Sequence, residues 1–307
     1  MTARTRPRLE IPGAAALLGE LVPLAGNGGS AQLAATGERL ATLAPQLDIT
    51  EALRTARREG RGVAVAGAGE GPLLAVAVFP AQAPTPIHGH GGWGVAVLLT
   101  GRCDLTAFRI GPDGVASSLG VRRLHPGDAT WWTRVYDVHR QSAVADEAVE
   151  LVLLERNPDG APRYEPPAVP ASGGLLERFS AAYGAGDLDA LAAVYAPDVL
   201  LDANVPVWRY QAAGRDAVLA TLREELAEVT DRRATWWHIT PSNAGGVVEL
   251  ETRNTYHGKP VLVRDAHLLA VGGEAVEQIV AHTMWCTGIW DADTVRQQAR
   301  AAPMVLP

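Results

Sequence analysis

Two histidines stand two positions apart in the segment PIHGHGGWG, and a third follows much later, after a Pro-Gly-Asp turn. Because residues i and i+2 of a β-strand point to the same face, His88 and His90 can direct both imidazoles at one interior point. His139 stands at a strand-like position and could add a third nitrogen from a neighbouring strand. Neutral imidazoles suit iron, nickel, copper, zinc or cobalt and leave coordination positions open for a substrate. The spacing therefore predicts a metal site.

Aromatic and cationic residues flank these histidines. Arg134 and Tyr136 share strand parity, so a guanidinium and a phenol could lie together beside the metal. The guanidinium could hold a substrate carboxylate, and the phenol could donate a proton. Trp93 follows His90 in the same glycine-rich stretch. An aromatic side chain beside a metal pocket more often lines the pocket than takes part in catalysis. We predict Tyr136, Arg134 and Trp93 as the catalytic residues.

The elements that must position these residues are short strands. Between residues 62 and 155, apolar runs such as LLAVAVF and GVAVLLT alternate with Gly, Pro and Asp turns, which is typical of a β-sandwich or barrel. Helical spacing precedes them, from Ser30 and again from Asp48. Residues 1–28 are punctuated by Pro and Gly and are expected to be a loose lead-in. The first domain is therefore expected over residues 29–165.

The second half of the chain has a different pattern of helical and strand-like segments. A proline-rich linker is expected at residues 166–172, because proline fits neither helix nor strand interiors. Helical segments such as LLERFSAAYGAG and DLDALAAVYA follow, and then strand-like segments through VEQIVAHTMWCTGIW. Helices followed by consecutive strands indicate an α+β domain over residues 173–307, with a tail at its end.

Composition excludes several classes of function. The net charge is −7 and no basic block exceeds Arg57-Arg58, so a nucleic-acid partner is not expected. No apolar run approaches the length of about 18 residues that indicates a membrane span. The two cysteines, Cys103 and Cys286, form no disulfide or zinc pattern. We expect a cytoplasmic protein with free thiols and no membrane partner.

The segments PIHGHGGWGVAVLLTG and LHPGDATWWTRVYDVH resemble the two motifs of the cupin superfamily. The first resembles its thiol-dioxygenase branch, which lacks the Glu that most cupins place after H-x-H. This resemblance implies an all-β cupin barrel with N-terminal helices. It also implies a three-His triad, His88, His90 and His139, on Fe(II), with Ni, Co, Mn or Zn as alternatives. A small thiol and O2 would be the substrates, and the product would be S-oxygenated.

The chain departs from that branch around the metal. The substrate-carboxylate Arg of the branch falls near Gly62, where only the neighbouring Arg61 is basic. Its second-sphere His and Tyr fall on the apolar run Val152, Leu153 and Leu154. The substrate is therefore expected to differ from cysteine itself.

Residues 173–292 resemble the SnoaL-like polyketide cyclases of the nuclear-transport-factor-2-like superfamily, through FSAAYGAGDLDALAAVYAPDVLLDAN and VEQIVAHTMWCTGIWD. The resemblance implies an α+β cone with an apolar pocket, and an acid–base pair formed by Asp202 and His282 if both point inward. It also implies a homodimer through this domain. The candidate pocket residues are Asp202, Asn204, Trp208, Tyr210, His238 and His282.

Three functions remain open on the sequence. The leading interpretation is an iron(II)-dependent dioxygenase that oxidises a small thiol in secondary metabolism. The alternative is a metal-dependent cupin isomerase or lyase, or a cyclase or isomerase working from the SnoaL-like pocket. The third is a binding protein without turnover.

Overall fold

The protein is described from a computed structural model, which places residues 8–60, 62–67, 71–110, 114–134, 137–158, 161–164, 173–273 and 277–301. The chain divides into two compact units, Met1–Pro167 with Ala299–Pro307, and Ala168–Gln298. The expected linker at 166–172 lies outside the described residues.

The first unit begins with helices and continues as strands. Its helices are α1 (Ala14–Ala25), α2 (Ser30–Leu43) and α3 (Thr50–Glu59), with a short 3-10 turn at Ala44–Gln46. Its strands are β1 (Val63–Ala66), β2 (Leu73–Phe79), β3 (Ile87–His88), β4 (Gly94–Thr100), β5 (Cys103–Ile110), β6 (Ala116–Leu124), β7 (Ala129–Trp132), β8 (His139–Ala143), β9 (Ala148–Leu154) and β10 (Arg163–Tyr164).

These strands form two antiparallel sets. One has the order β1-β2-β9-β4-β7, and the other has the order β10-β3-β8-β5-β6. The three helices cover the first set, where their apolar residues share one core with alternate residues of β2, β4 and β9. Among the described strands of this unit, no pairing joins the two sets into a closed barrel. The unit is thus a mostly β structure with a helical cover.

Helix α1 occupies part of the segment that the sequence predicted as a loose lead-in. Its buried residues Ala14, Leu17, Leu21 and Ala25 recur at helical spacing and belong to the core of the first unit. Pro23 stands inside the last turn, where it removes only the hydrogen bond to the residue four positions earlier. The lead-in prediction was wrong because the burial of this apolar stripe outweighs the Pro and Gly signals.

The second unit is α+β, as the order of helical and strand-like segments predicted. It contains α4 (Gly173–Ala185), α5 (Leu188–Val194), β11 (Tyr195–Val205), β12 (Trp208–Ala213), α6 (Arg215–Leu226), β13 (Val229–Ser242), β14 (Gly245–Tyr256), β15 (Lys259–Gly272), β16 (Gln278–Asp291) and the first part of α7 (Ala292–Ala301). The sheet order is β13-β14-β15-β16-β11-β12, in which β11 and β16 run parallel and the other described neighbours run antiparallel.

Helix packing closes one face of this sheet. Leu175, Leu176 and Phe179 of α4 are fully buried against the inward face of the strands. Asp187 caps α5, since its carboxylate accepts a hydrogen bond from the Ala190 N–H at 2.9 Å. Within the described part of the chain, no helix is long and apolar enough to cross a membrane.

Candidate metal centre and adjoining cavity

The three predicted ligands meet at one point of the first unit. His88 ends β3 and is paired directly with His139, the first residue of β8, so their side chains share a face. His90 follows β3, and its Nε2 lies 3.3 Å from the Nε2 of His139. One ligand nitrogen from each of the three residues lies within 4.8 Å of the others. The arrangement is one side of a coordination sphere.

Outer contacts orient two of these ligands. The Nδ1 of His88 lies 2.8 Å from the carbonyl oxygen of Pro86, and donation there makes Nε2 the nitrogen that carries the lone pair of the ring. The Asp137 carboxylate accepts hydrogen bonds from the N–H groups of His90 at 2.9 Å and Gly91 at 2.7 Å. Gly91 has φ +66°, a conformation that favours glycine. Asp137 thus fixes the loop that carries His90.

The electrostatics of the cluster favour neutral imidazole. Burial lowers the pKa of His139 well below its usual value, and the neighbouring His90 and His88 lower it further. A metal binds the deprotonated ring nitrogen, so a low pKa reduces the competition from protons. The donor set and its orientation therefore fit a divalent transition metal.

A cavity of about 750 Å³ adjoins the histidines and lies between the two sets of strands. Its walls are mainly apolar, with polar groups at a few points. Its lining includes His88, His90, Trp132, Gln141, Glu150, Val152, Leu154 and Arg163.

Glu150 is the residue of this cavity that the sequence reasoning missed. It lies in β9 with only 1% of its surface exposed, and its Oε2 accepts a hydrogen bond from the Gln141 amide at 2.7 Å. Its Oε1 has no partner among the described residues. Burial raises the pKa of Glu150 to about 7, against the opposing effect of Gln141. A signal was present in the sequence, namely one carboxylate inside the otherwise apolar strand AVELVLL.

Arg163 supplies the cation of the cavity. It is paired directly with His88 across β10 and β3, so both side chains leave the same face. None of the ion pairs formed by the described residues involves Arg163. An arginine at this position of the lining could hold an anionic group of a ligand.

The predicted catalytic residues do not lie in this cavity. Trp93 is 3% exposed and packs in the core under α1 and α2. Arg134 forms a two-point ion pair with Glu155, which satisfies its charge elsewhere. Tyr136 lies outside the described residues. Trp132 lines the cavity and stacks on His90, with ring centroids 4.7 Å apart. The roles predicted for Trp93 and Arg134 were wrong.

In the second unit, the predicted pair of Asp202 and His282 is separated by the sheet. His282 pairs with Leu201, and both are fully buried on the helix-covered face. Asp202 pairs with the next residue, so it points to the opposite face. There it forms a two-point ion pair with Arg209. The acid–base pair predicted from the sequence is therefore wrong.

The other predicted pocket residues are also scattered. Asn204 shares the outward face with Asp202 and donates to the Met284 carbonyl at 3.3 Å. Trp208 is 64% exposed and contacts Tyr210, with ring centroids 5.3 Å apart. His238 lies 3.1 Å from the Glu249 carboxylate. These residues do not form one pocket.

His282 instead belongs to a buried chain of hydrogen bonds. Its Nδ1 lies 2.8 Å from the hydroxyl of Tyr195, and its Nε2 lies 2.9 Å from the Nδ1 of His267. All three residues are fully buried. Burial lowers the pKa of His282 to about 3, and burial together with His282 lowers the pKa of His267 well below its usual value. This hydrogen-bonded network of Tyr195, His282 and His267 is therefore uncharged and structural.

Comparison with known proteins identifies the second unit. Residues 176–282 match the family model described as a SnoaL-like domain. The second unit is SnoaL-like. The prediction for the C-terminal fold is thereby confirmed, whereas no comparison shows a thiol dioxygenase, and that resemblance stays a prediction. No curated protein matches the chain.

Solved structures resemble either part of the chain weakly. They include an oxalate oxidase in complex with the substrate analogue glycolate, at 20% identity over 29% of this chain and 44% of that one, with a TM-score of 0.25. The DMSP lyase DddQ from Ruegeria pomeroyi DSS-3 shows 20% identity over 33% and 49%, with a TM-score of 0.25. A ketosteroid isomerase-like protein from Erwinia carotovora atroseptica SCRI1043 shows 16% identity over 38% and 94%, with a TM-score of 0.31. This chain covers less than half of the first two, and such low scores support no functional argument.

Proposed function

We propose that the first unit is a cupin-like, metal-dependent isomerase or lyase that removes a proton from a small anionic substrate. The proposal rests on one observation: the buried carboxyl group of Glu150 lines the same cavity as His88 and His90, two members of the histidine cluster. A SnoaL-like domain in the same chain favours a cyclase, isomerase or lyase, which was the alternative that the sequence left open.

The three histidines would hold the metal, with iron(II) the expected ion and nickel, cobalt, manganese or zinc the alternatives. A bound divalent metal would supply Lewis-acid polarisation of a substrate oxygen. His139 is neutral at ordinary pH because burial depresses its pKa, so it needs no proton release before it binds. Asp137 and the Pro86 carbonyl keep His90 and His88 in position.

Glu150 would act as the base. With its pKa raised to about 7, both its carboxylate and its carboxylic acid are populated near neutral pH. The carboxylate takes a C–H proton of the substrate, and the electron pair moves towards the substrate's carbonyl or carboxyl group. An isomerase returns the proton to another carbon, whereas a lyase expels a leaving group from the adjacent carbon.

Arg163 and the cavity walls would set the substrate class. An arginine beside His88 can hold a carboxylate through two hydrogen bonds, which would orient the C–H bond. Val152, Leu154 and Trp132 present apolar surface that excludes water from the proton transfer. We therefore infer a small carboxylate as the substrate.

Deuterium exchange tests the proposal. The metal-loaded protein is incubated in D2O with a panel of small hydroxy-, keto- and thio-carboxylates, and loss of C–H signals is followed by proton NMR. We expect exchange or turnover with the wild type and none with Glu150→Gln. Glu147→Gln, a change at a partly exposed carboxylate that lies three residues from Glu150 and pairs with Arg57, is the control and should retain activity. Equal activity of Glu150→Gln and the control would refute the proposal.

The thiol dioxygenase stays the second candidate because the same three histidines carry it. Oxygen uptake with small thiols, without C–H exchange, would favour it. Oxygen uptake that persists in Glu150→Gln would further distinguish a dioxygenase from the proton-transfer mechanism. The expected homodimer also stays a prediction, which sedimentation velocity would test.

A further inference from the structure

Two arginines face each other on the second unit. Arg233 in β13 and Arg253 in β14 are direct partners in the antiparallel register. Like charges on directly opposite residues of neighbouring strands are destabilising. Among the described residues, no ion pair or side-chain hydrogen bond involves either guanidinium. The pair is a concentration of positive charge without a counter-ion in this part of the chain.

Both arginines line one cleft of about 280 Å³, together with Asp231, Asn254, Thr255 and Pro260. The Asp231 carboxylate accepts a hydrogen bond from the Thr255 hydroxyl at 3.2 Å, and it lies beyond 4 Å of either guanidinium. Two guanidinium groups and one carboxylate leave the cleft with a formal charge of +1. The whole chain has a net charge of −7, so the positive charge of this cleft differs in sign from that of the whole chain.

We propose that this cleft binds the phosphate group of a small ligand. One guanidinium satisfies both oxygens of a carboxylate, whereas a phosphate has further terminal oxygens that accept from a second fork. Its double negative charge also removes the repulsion between the two arginines. The cleft volume suits a phosphate with a small attached group. This inference does not depend on the function proposed for the first unit.

Calorimetric titration of the full-length protein tests the inference at constant ionic strength. The probes are inorganic phosphate, glycerol 3-phosphate and acetate. We expect either phosphate compound to bind at least tenfold more tightly than acetate. Tighter binding of glycerol 3-phosphate would identify a phosphomonoester as the ligand, and tighter binding of inorganic phosphate would identify the free ion.

Substitutions assign the binding to the cleft. Arg233→Gln and Arg253→Gln should each weaken phosphate binding at least tenfold, whereas Arg223→Gln, on the exposed side of α6, removes the same charge and should leave it unchanged. Asp231→Asn should tighten binding, because asparagine tolerates the φ of +53° there and removes the negative charge. Equal affinities for phosphate and acetate, equal losses in Arg253→Gln and Arg223→Gln, or weaker binding by Asp231→Asn would overturn the inference.

Discussion

The side-chain amide of Gln141 donates a hydrogen bond of 2.7 Å to the carboxyl group of Glu150. Gln141 stands two residues after His139 on β8, so the two side chains share a face about 6.6 Å apart along the strand. Glu150 comes from β9 in the other set of strands. This contact connects a titratable carboxyl group of the cavity with the strand that carries His139.

Glu150 should destabilise the protein as the pH rises. Its pKa is about 7 in the folded chain and 4.5 in its ordinary state, so between these values the folded protein binds more protons than the unfolded chain. The free energy of unfolding should therefore fall by at most about 1.4 kcal/mol per pH unit in this window. Glu150→Gln should remove this slope, which denaturant titrations at pH 5 and pH 8 would measure. An unchanged slope would mean that Glu150 does not titrate there.

Gln141→Leu should raise the pKa of Glu150 above its wild-type value of about 7. The reason is that the Gln141 hydrogen bond stabilises the charged carboxylate. The pH profile of substrate C–H exchange should move to higher pH, and carbon-13 NMR of labelled glutamate would report the pKa directly. Gln211→Leu, at an exposed position in the second unit, is the control and should leave the profile in place. A profile that moves to lower pH would contradict this role of Gln141.

Asp137→Ala should weaken metal binding without removing a ligand. The loop of His90 and Gly91 loses the acceptor for two N–H groups, and outer contacts of this kind typically contribute 10- to 100-fold to affinity, so we expect about that loss. Competition with a chromogenic chelator would measure it. Asp146→Ala, on the turn between β8 and β9, serves as control. Identical affinities in the two variants would show that Asp137 has no positioning role.

The second unit should lose stability on acidification. His267 and His282 stay neutral in the fold because burial lowers the pKa of both, that of His282 to about 3, whereas the unfolded chain takes up protons below pH 6.5. His282 should therefore remove at most about 1.4 kcal/mol per pH unit as the pH falls from 6.5 to 3, and His267 should add to the loss below pH 6.5. Chemical denaturation followed by tryptophan fluorescence from pH 7 to pH 4 checks this. His257→Gln, at an exposed histidine, should leave the acid sensitivity unchanged.

The metal ligands were predictable from the sequence because they depend on local rules. The two-residue spacing keeps His88 close to His90, which lies in the loop after β3, and His139 begins a strand of alternating buried residues. Glu150 was not predictable in the same way, since its role depends on which strand faces β8 across the cavity. That relationship joins two sets of strands and leaves no mark in local spacing.

In the second unit, too, local features were predictable from the sequence and the pairing between strands was not. Its order of helices and strands follows from periodicity and capping, as at Asp187. The positions of Asp202 and His282 depend on the register between β11 and β16, and a shift of one residue exchanges the two faces. Sequence spacing contains no information on that register, so the predicted pair failed although the fold was correct.

Metal content after anaerobic reconstitution is the most direct measurement of the central claim. The account predicts about one equivalent of a divalent transition metal per chain in the wild type and in Glu150→Gln, and almost none in His139→Ala. His125→Ala, at the turn before β7, should bind as the wild type does. Less than about half an equivalent in the wild type, or equal metal content in His139→Ala and His125→Ala, would contradict a metal centre at His88, His90 and His139.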